Sequence, residues 1–286
     1  MYKLILSIII IFLVSCTSND TIEFDLEQNL YNNNKFDDDE LFERANNFIL
    51  NKQFDLALIE LDKIDVLYSS SPYANKAVLV NAYIHFLKKD YEKTRAITEN
   101  YKKYYPGGNM AYANYLEAMT YFVLIKKPNY SQTNAHKALK KFNFILNAYP
   151  NSSYEIDIIT RIQILQNNLA VKKLNIAKFY MSKKNYNAAL MYLMDNFNNH
   201  SQTNSIPENL YNIAKIYKYL EEEELAKKYG AILAYNFPNS HWYEKTYNLI
   251  EDIEIIKDNE NWFNRFNPIR LVLRDISEDV EVQKID

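Results

Sequence analysis

The sequence predicts an all-α chain in which helix pairs stack into a solenoid, and three observations carry that prediction. Apolar residues keep helical spacing from about Asp37 to Ile256. The interruptions resemble one another: Tyr104-Tyr105-Pro106, Ala148-Tyr149-Pro150-Asn151-Ser152 and Asn236-Phe237-Pro238-Asn239-Ser240 each end a helix on an aromatic-proline turn. Glycine is confined to Gly107, Gly108 and Gly230, which excludes glycine-rich phosphate loops and argues against a turn-rich β architecture.

Small residues let two helices approach closely, and large ones fill the groove between neighbouring pairs. A tetratricopeptide unit of about 34 residues uses this rule. It has a small residue and then an aromatic on its first helix, a small residue and two large apolar ones on its second, and proline in the closing turn. The first copy reads Ala45, Phe48, Ala57, Leu61 and Ile64; the second reads Ala82, His85, Thr94, Thr98, Tyr101 and Pro106, with Asp90-Tyr91 opening its second helix. The third reads Ala118, Tyr121, Ala138, Phe142, Ile145 and Pro150, lengthened by Lys126-Lys127-Pro128-Asn129-Tyr130-Ser131-Gln132-Thr133, expected as a projecting loop. The fourth is Ala177, Tyr180, Ala189, Leu193 and Asn196, and the fifth is Ala214, Tyr217, Ala226, Leu233 and Pro238, with Gly230 where a large apolar residue is expected. The prediction is therefore a tetratricopeptide-repeat solenoid of about five helix pairs. Between the third and fourth copies, Ile156, Ile159, Ile162, Leu165 and Leu169 point to a long helix running from Tyr154 into the fourth unit. Trp242 to Ile256 reads as a C-terminal capping helix that closes the last apolar groove.

The front of the chain is of another kind. Lys3 precedes an apolar run from Leu4 to Val14, interrupted only by Ser7, and Leu13-Val14-Ser15-Cys16 gives way at once to polar residues. That run is shorter than the roughly 20 residues a membrane-spanning helix needs, so residues 1–15 read as a removable signal peptide. The tetrapeptide resembles a lipobox, which makes Cys16, the single cysteine, the acceptor of acyl chains such as palmitate; the plain alternative is an apolar residue of the signal segment. Acyl chains contribute about 0.8 kcal/mol per buried methylene, enough to anchor a chain without a spanning helix. In the lipoproteins this one resembles, Asp after the cysteine favours inner-membrane retention. Thr17 therefore implies the periplasmic face of the outer membrane, with the opposite surface as the alternative. The expected organisation is signal peptide 1–15, lipidated tether 16–36, N-terminal arm 37–153, C-terminal arm 154–256 and tail 257–286.

Catalysis needs convergent titratable or nucleophilic groups, and His85, His136, His200 and His241 lie in four parts of the chain, none paired at ligand spacing. We therefore expect no enzyme, no metal and no cofactor. The net charge of −3, from 33 basic and 36 acidic residues, gives no electrostatic case for nucleic acid. Glu221-Glu222-Glu223-Glu224 reads as a solvated turn or as a site for a basic partner. Most tyrosines read as inter-helix packing. The tail, with Trp262-Phe263-Asn264-Arg265-Phe266-Asn267-Pro268-Ile269-Arg270-Leu271-Val272-Leu273, is apolar enough either to fold back on the cap or to bind a partner.

Lipobox, tether, five units, the long helix after Ala148-Tyr149-Pro150-Asn151-Ser152-Ser153-Tyr154, and Asn167-Asn168-Leu169-Ala170 together resemble the BamD family, tetratricopeptide lipoproteins of the β-barrel assembly machinery, over roughly 38–250. Tyr68-Ser69-Ser70-Ser71-Pro72-Tyr73, Arg161, Leu165, Ala177-Lys178-Phe179-Tyr180 and Tyr186-Asn187-Ala188-Ala189 carry the likeness most specifically. The resemblance implies a scaffold whose C-terminal units dock the central, BamA-like barrel subunit, alongside other lipoproteins of that complex. Its N-terminal units would receive unfolded outer membrane proteins, and Tyr68 and Tyr73 correspond to the family's aromatic positions by the N-terminal crevice. Ser69 stands where the family usually has proline, and Tyr192 where relatives often carry an arginine that contacts the central subunit. The alternative function is an interaction module in peptidoglycan or envelope maintenance.

Overall fold

The computed structural model describes residues 36–250, which carry eleven α-helices and no strand. The expectations for the signal peptide, Cys16, the tether through residue 35 and everything from 251 on, including the tail, lie outside the described residues. The chain forms two compact units divided between Thr120 and Tyr121, inside one helix.

The first unit holds α1 (Asp38–Leu50), α2 (Phe54–Leu67), α3 (Ala74–Leu87), α4 (Tyr91–Tyr104) and most of α5 (Met110–Phe122). Acidic Asp38, Asp39 and Glu40 in the first turn of α1 suit its positive dipole end, and Glu40 Oε2 accepts the Asp37 N–H at 3.3 Å. The pairs α1–α2 and α3–α4 pack internally, and α2 packs on α3. The close-approach positions are all sealed: Ala45, Ala57, Ala82 and Thr94 are 0 % exposed. Leu41, Leu61, Ile64, Ala77 and Ile84 complete the core of the first pair.

The second unit holds α6 (Thr133–Ala148), α7 (Glu155–Ser182), α8 (Tyr186–Asn199), α9 (Ile206–Tyr219), α10 (Glu223–Asn236) and α11 (His241–Leu249). Ala138, Ala177, Ala189, Ala214 and Ala226 are again fully buried, and α11 caps α9 and α10. The long helix exists: 28 residues, about 42 Å at 1.5 Å per residue. Its buried stripe differs from the expected one. Ile156 and Ile159 are 83 % and 52 % exposed, and Ile158 is buried with Leu165 and Leu169. Strict three-residue spacing drifts about 60° per step around a helix, so Ile156 faces away from Leu165, whereas the seven-residue step from Ile158 keeps nearly the same face. The inserted loop also departs from expectation, because it is tied down along α7. Lys172 Nζ donates to the Asn129 carbonyl at 2.8 Å, Asn175 Nδ2 to Asn129 Oδ1 at 2.9 Å, and Asn168 Nδ2 to the Lys126 carbonyl at 3.4 Å.

Four of the turns inside pairs share one backbone solution. Lys52, Lys89, Lys184 and Glu221 have φ of 57°, 63°, 58° and 61°. The following N–H closes on the carbonyl of the aromatic or histidine position: Gln53 to Phe48, Asp90 to His85, Asn185 to Tyr180 and Glu222 to Tyr217, at 2.8–3.0 Å. This is a Schellman turn, where glycine is the unstrained residue. The left-handed conformation costs a side-chain-bearing residue roughly 1–2 kcal/mol, more than the roughly 0.4–1 kcal/mol of chain entropy that glycine adds. Lys184→Gly is expected to raise stability by about 0.5–1 kcal/mol, read from the urea midpoint. Equivalent turns are 37 residues apart, Lys52 to Lys89 and Lys184 to Glu221, so these units are longer than the 34 residues of the generic repeat.

Buried polar groups pin the second unit. Asn196 and Asn209, both 0 % exposed, bond to each other at 3.1 Å, and Asn196 also donates to the Ala170 carbonyl and Asn209 to the Leu193 carbonyl. These bonds lock α7, α8 and α9 in one register. Nearby, His200 Nδ1 donates to Gln166 Oε1. Burial, and secondarily Lys173, push its pKa from 6.5 down to about 4, with Asp195 pulling the other way. The unfolded chain takes up the proton first, so the stability carried by neutral His200 is complete above pH 6.5 and is lost as pH falls toward 4. With solvent screening of a partly exposed ring, the loss is expected to be about 1–2 kcal/mol. It should appear as the difference in pH-dependent urea midpoints between the native chain and His200→Asn.

Candidate protein-binding site

Tyr68 and Tyr73 bracket the turn between α2 and α3, and the structure brings both into one aromatic cluster with Phe36 and Phe42. Tyr68 caps α2, its N–H reaching the Ile64 carbonyl at 2.9 Å, while its hydroxyl donates to the Phe36 carbonyl at 2.9 Å. Ser71 holds the turn: its hydroxyl accepts the Tyr73 N–H at 2.9 Å and donates to the Asp38 carboxylate. The Tyr73 ring lies 5.2 Å from that of Phe42, tilted by 38°, and Lys76 Nζ sits 5.2 Å from the Tyr73 centroid. Both tyrosines are therefore half-buried anchors that fix the entry of α1 and keep part of each ring at the surface.

A second feature of the first unit was not read from the sequence. A crevice of about 330 Å³ opens between α2, α3 and α4, with Asp62, Asp65, Asn81, Tyr101, Tyr104 and Tyr105 among its lining residues. In the sequence, Tyr104 and Tyr105 signal only the end of a helix. The clue available in the sequence was Asp62 and Asp65, one helical turn apart with no basic residue at the same spacing on their own helix.

In the second unit the tyrosines mainly pack helices. Tyr180 stacks on Tyr192 at 5.8 Å and 11°, and Tyr217 stacks on Tyr229 at 5.7 Å and 11°. The two stacks occupy the same repeat position. Tyr192 thus has an internal partner on α7, which accounts for an aromatic residue there. Burial, and then the neighbouring Tyr217, push the Tyr229 hydroxyl up to about 12, so that stack stays neutral. The acidic run straddles the turn into α10: Glu221 takes the left-handed position, Glu222 caps the helix, and Glu223 pairs with Lys218 at 2.6 Å. Among the described residues there is no group of three or more His, Cys, Asp or Glu able to hold a metal ion.

A family model described as outer membrane lipoprotein, YfiO, matches residues 34–233, which takes in the helices from α1 through most of α10. The chain belongs to this family. It is 32 % identical over 204 residues to the outer membrane protein assembly factor BamD of Rickettsia prowazekii, covering 71 % of this chain and 81 % of that protein. It is 30 % identical over 183 residues to the protein of the same name from Caulobacter vibrioides, covering 64 % of this chain and 60 % of that protein. For the Pasteurella multocida protein of that name, identity is 23 % over 235 residues, covering 78 % and 86 %. Membership associates the chain with the outer membrane, and the resemblance read from the repeat residues is to the same family.

Proposed function

We propose that this chain is a non-catalytic scaffold of outer membrane β-barrel assembly. Cys16 carries the lipid that holds it to the periplasmic face, the C-terminal units dock the BamA-like central subunit beside other lipoproteins of the complex, and the N-terminal units receive unfolded outer membrane proteins. The observation that supports the reading most directly is the family match across 34–233, from relatives named as assembly factors. Paired helices that leave partly exposed aromatic rings such as Tyr68 and Tyr73 suit the recognition of extended polypeptides. No described helix is long and apolar enough to cross a membrane.

The test combines labelling with affinity recovery. Radiolabelled palmitate is expected to mark the native chain and to be absent from Cys16→Ala. Purification of the lipidated chain should recover the barrel-forming subunit, and depletion should lower outer membrane barrel proteins. Recovery of cell-wall enzymes without that subunit would replace the proposal with a role in envelope maintenance.

A further inference from the structure

We propose that the crevice between α2, α3 and α4 is a binding subsite for an arginine side chain presented by an extended polypeptide. Its floor is apolar, formed by Leu61, Ala77 and Ile97, and one wall carries the carboxylates of Asp62 and Asp65. Asn81 donates from Nδ2 to Asp62 Oδ1 at 3.1 Å, while its own Oδ1 is buried and accepts no hydrogen bond among the described residues. The opposite wall is aromatic. Tyr101 and Tyr105 stack at 5.3 Å and 27°, and the Tyr104 ring, 66 % exposed, already has the Lys103 ammonium 5.2 Å from its centre.

The electrostatics of this cavity are unbalanced. Neither Asp62 nor Asp65 makes an ion pair among the described residues. Desolvation, and then the charge of Asp65, hold the Asp62 carboxyl above the usual carboxylate range, against the pull of Lys93 and the Asn81 bond. Asp65 also adds to the burial that raises the Tyr105 hydroxyl. Among the described residues the Asn81 amide donates a bond to Asp62 and no basic side chain pairs with either acid, so two carboxylates and a side-chain carbonyl oxygen keep open acceptor sites. A guanidinium supplies five donors in a plane and stacks on aromatic faces, whereas an ammonium is a point charge that stays more strongly hydrated. The volume lies at the lower end of ligand clefts, which run from roughly 300 to 1,000 Å³, so it fits one long side chain with its flanking backbone. The inference holds whichever polypeptide supplies the residue, and it stands apart from the assembly role.

Calorimetric titration of the full mature chain with acetyl-Ala-Arg-Ala-amide, against the same peptide carrying citrulline, tests it, because citrulline keeps the shape and removes the charge. The arginine peptide is expected to bind saturably, at least tenfold tighter than the citrulline peptide and more weakly at high salt. Asp62→Asn combined with Asp65→Asn, at exposed positions where the fold should persist, is expected to lose about tenfold. Tyr104→Ala, which truncates an exposed ring, should lose several-fold. Equal binding of the two peptides would make the crevice an apolar groove and overturn the assignment. So would unchanged affinity in the double variant, tighter binding of spermidine, or no saturable binding by the folded native chain.

Discussion

Glu60→Ala is expected to destabilise the first unit by about 3–5 kcal/mol, although it removes only a charged residue. Glu60 is 4 % exposed on α2 and takes Arg44 Nη2 at 3.0 Å and Lys63 Nζ at 3.4 Å. The two cations then fare differently. Arg44 has a side chain 38 % exposed, with its guanidinium 4.2 Å over Phe36, so it can turn to water. Lys63 is 7 % exposed and has no other bonded partner among the described residues, so its ammonium stays enclosed without a counter-charge. Glu60→Gln, which keeps one acceptor and the shape, should cost less, about 1–3 kcal/mol. Replacing Glu60 and Lys63 together by methionine should recover most of the loss. Urea unfolding with an unchanged slope is the measurement, and a loss below about 1 kcal/mol for Glu60→Ala would contradict the account.

The second large effect is expected at Gly108. A Cβ placed there would stand 2.0 Å from the Tyr101 hydroxyl oxygen and 2.8 Å from Cζ. That ring cannot swing aside easily: it is 1 % exposed, stacked on Tyr105, and its hydroxyl accepts the Asn109 N–H at 2.7 Å. Gly108→Ala should therefore cost about 2–3 kcal/mol through overpacking. Tyr101→Phe alone should cost about 1 kcal/mol by leaving the Asn109 N–H without its acceptor. Together the two should cost at least 1 kcal/mol less than their sum, because removing the hydroxyl relieves the worst contact. Purely additive losses would show that Gly108 serves the turn and not the phenol.

The repeat was legible because its signal is steric and local. Ala45 to Ala57, Ala82 to Thr94, Ala177 to Ala189 and Ala214 to Ala226 keep a constant 12-residue step, and every one of these residues is sealed. The phase of α7 was not, since a row of isoleucines at 156, 159 and 162 fits more than one face until neighbouring helices choose between them. The strained turns were hidden as well: lysine and glutamate occupy positions where glycine would have announced the left-handed backbone. The two tyrosines expected at a binding surface do meet in one cluster. The crevice of the first unit has no local sequence signal beyond Asp62 and Asp65, because its carboxylates, its amide and its rings come from three helices and only folding assembles them.

The recurrence of one turn geometry at a fixed interval has a consequence for how such a chain can change length. A splice joining Lys184 directly to Glu222 would excise one whole period, and the amide of Glu222 would then meet the oxygen of Tyr180 in place of that of Tyr217. Duplication or deletion in whole periods therefore leaves the local backbone register intact, whereas a cut of part of a period between two such turns changes the helix lengths that separate them.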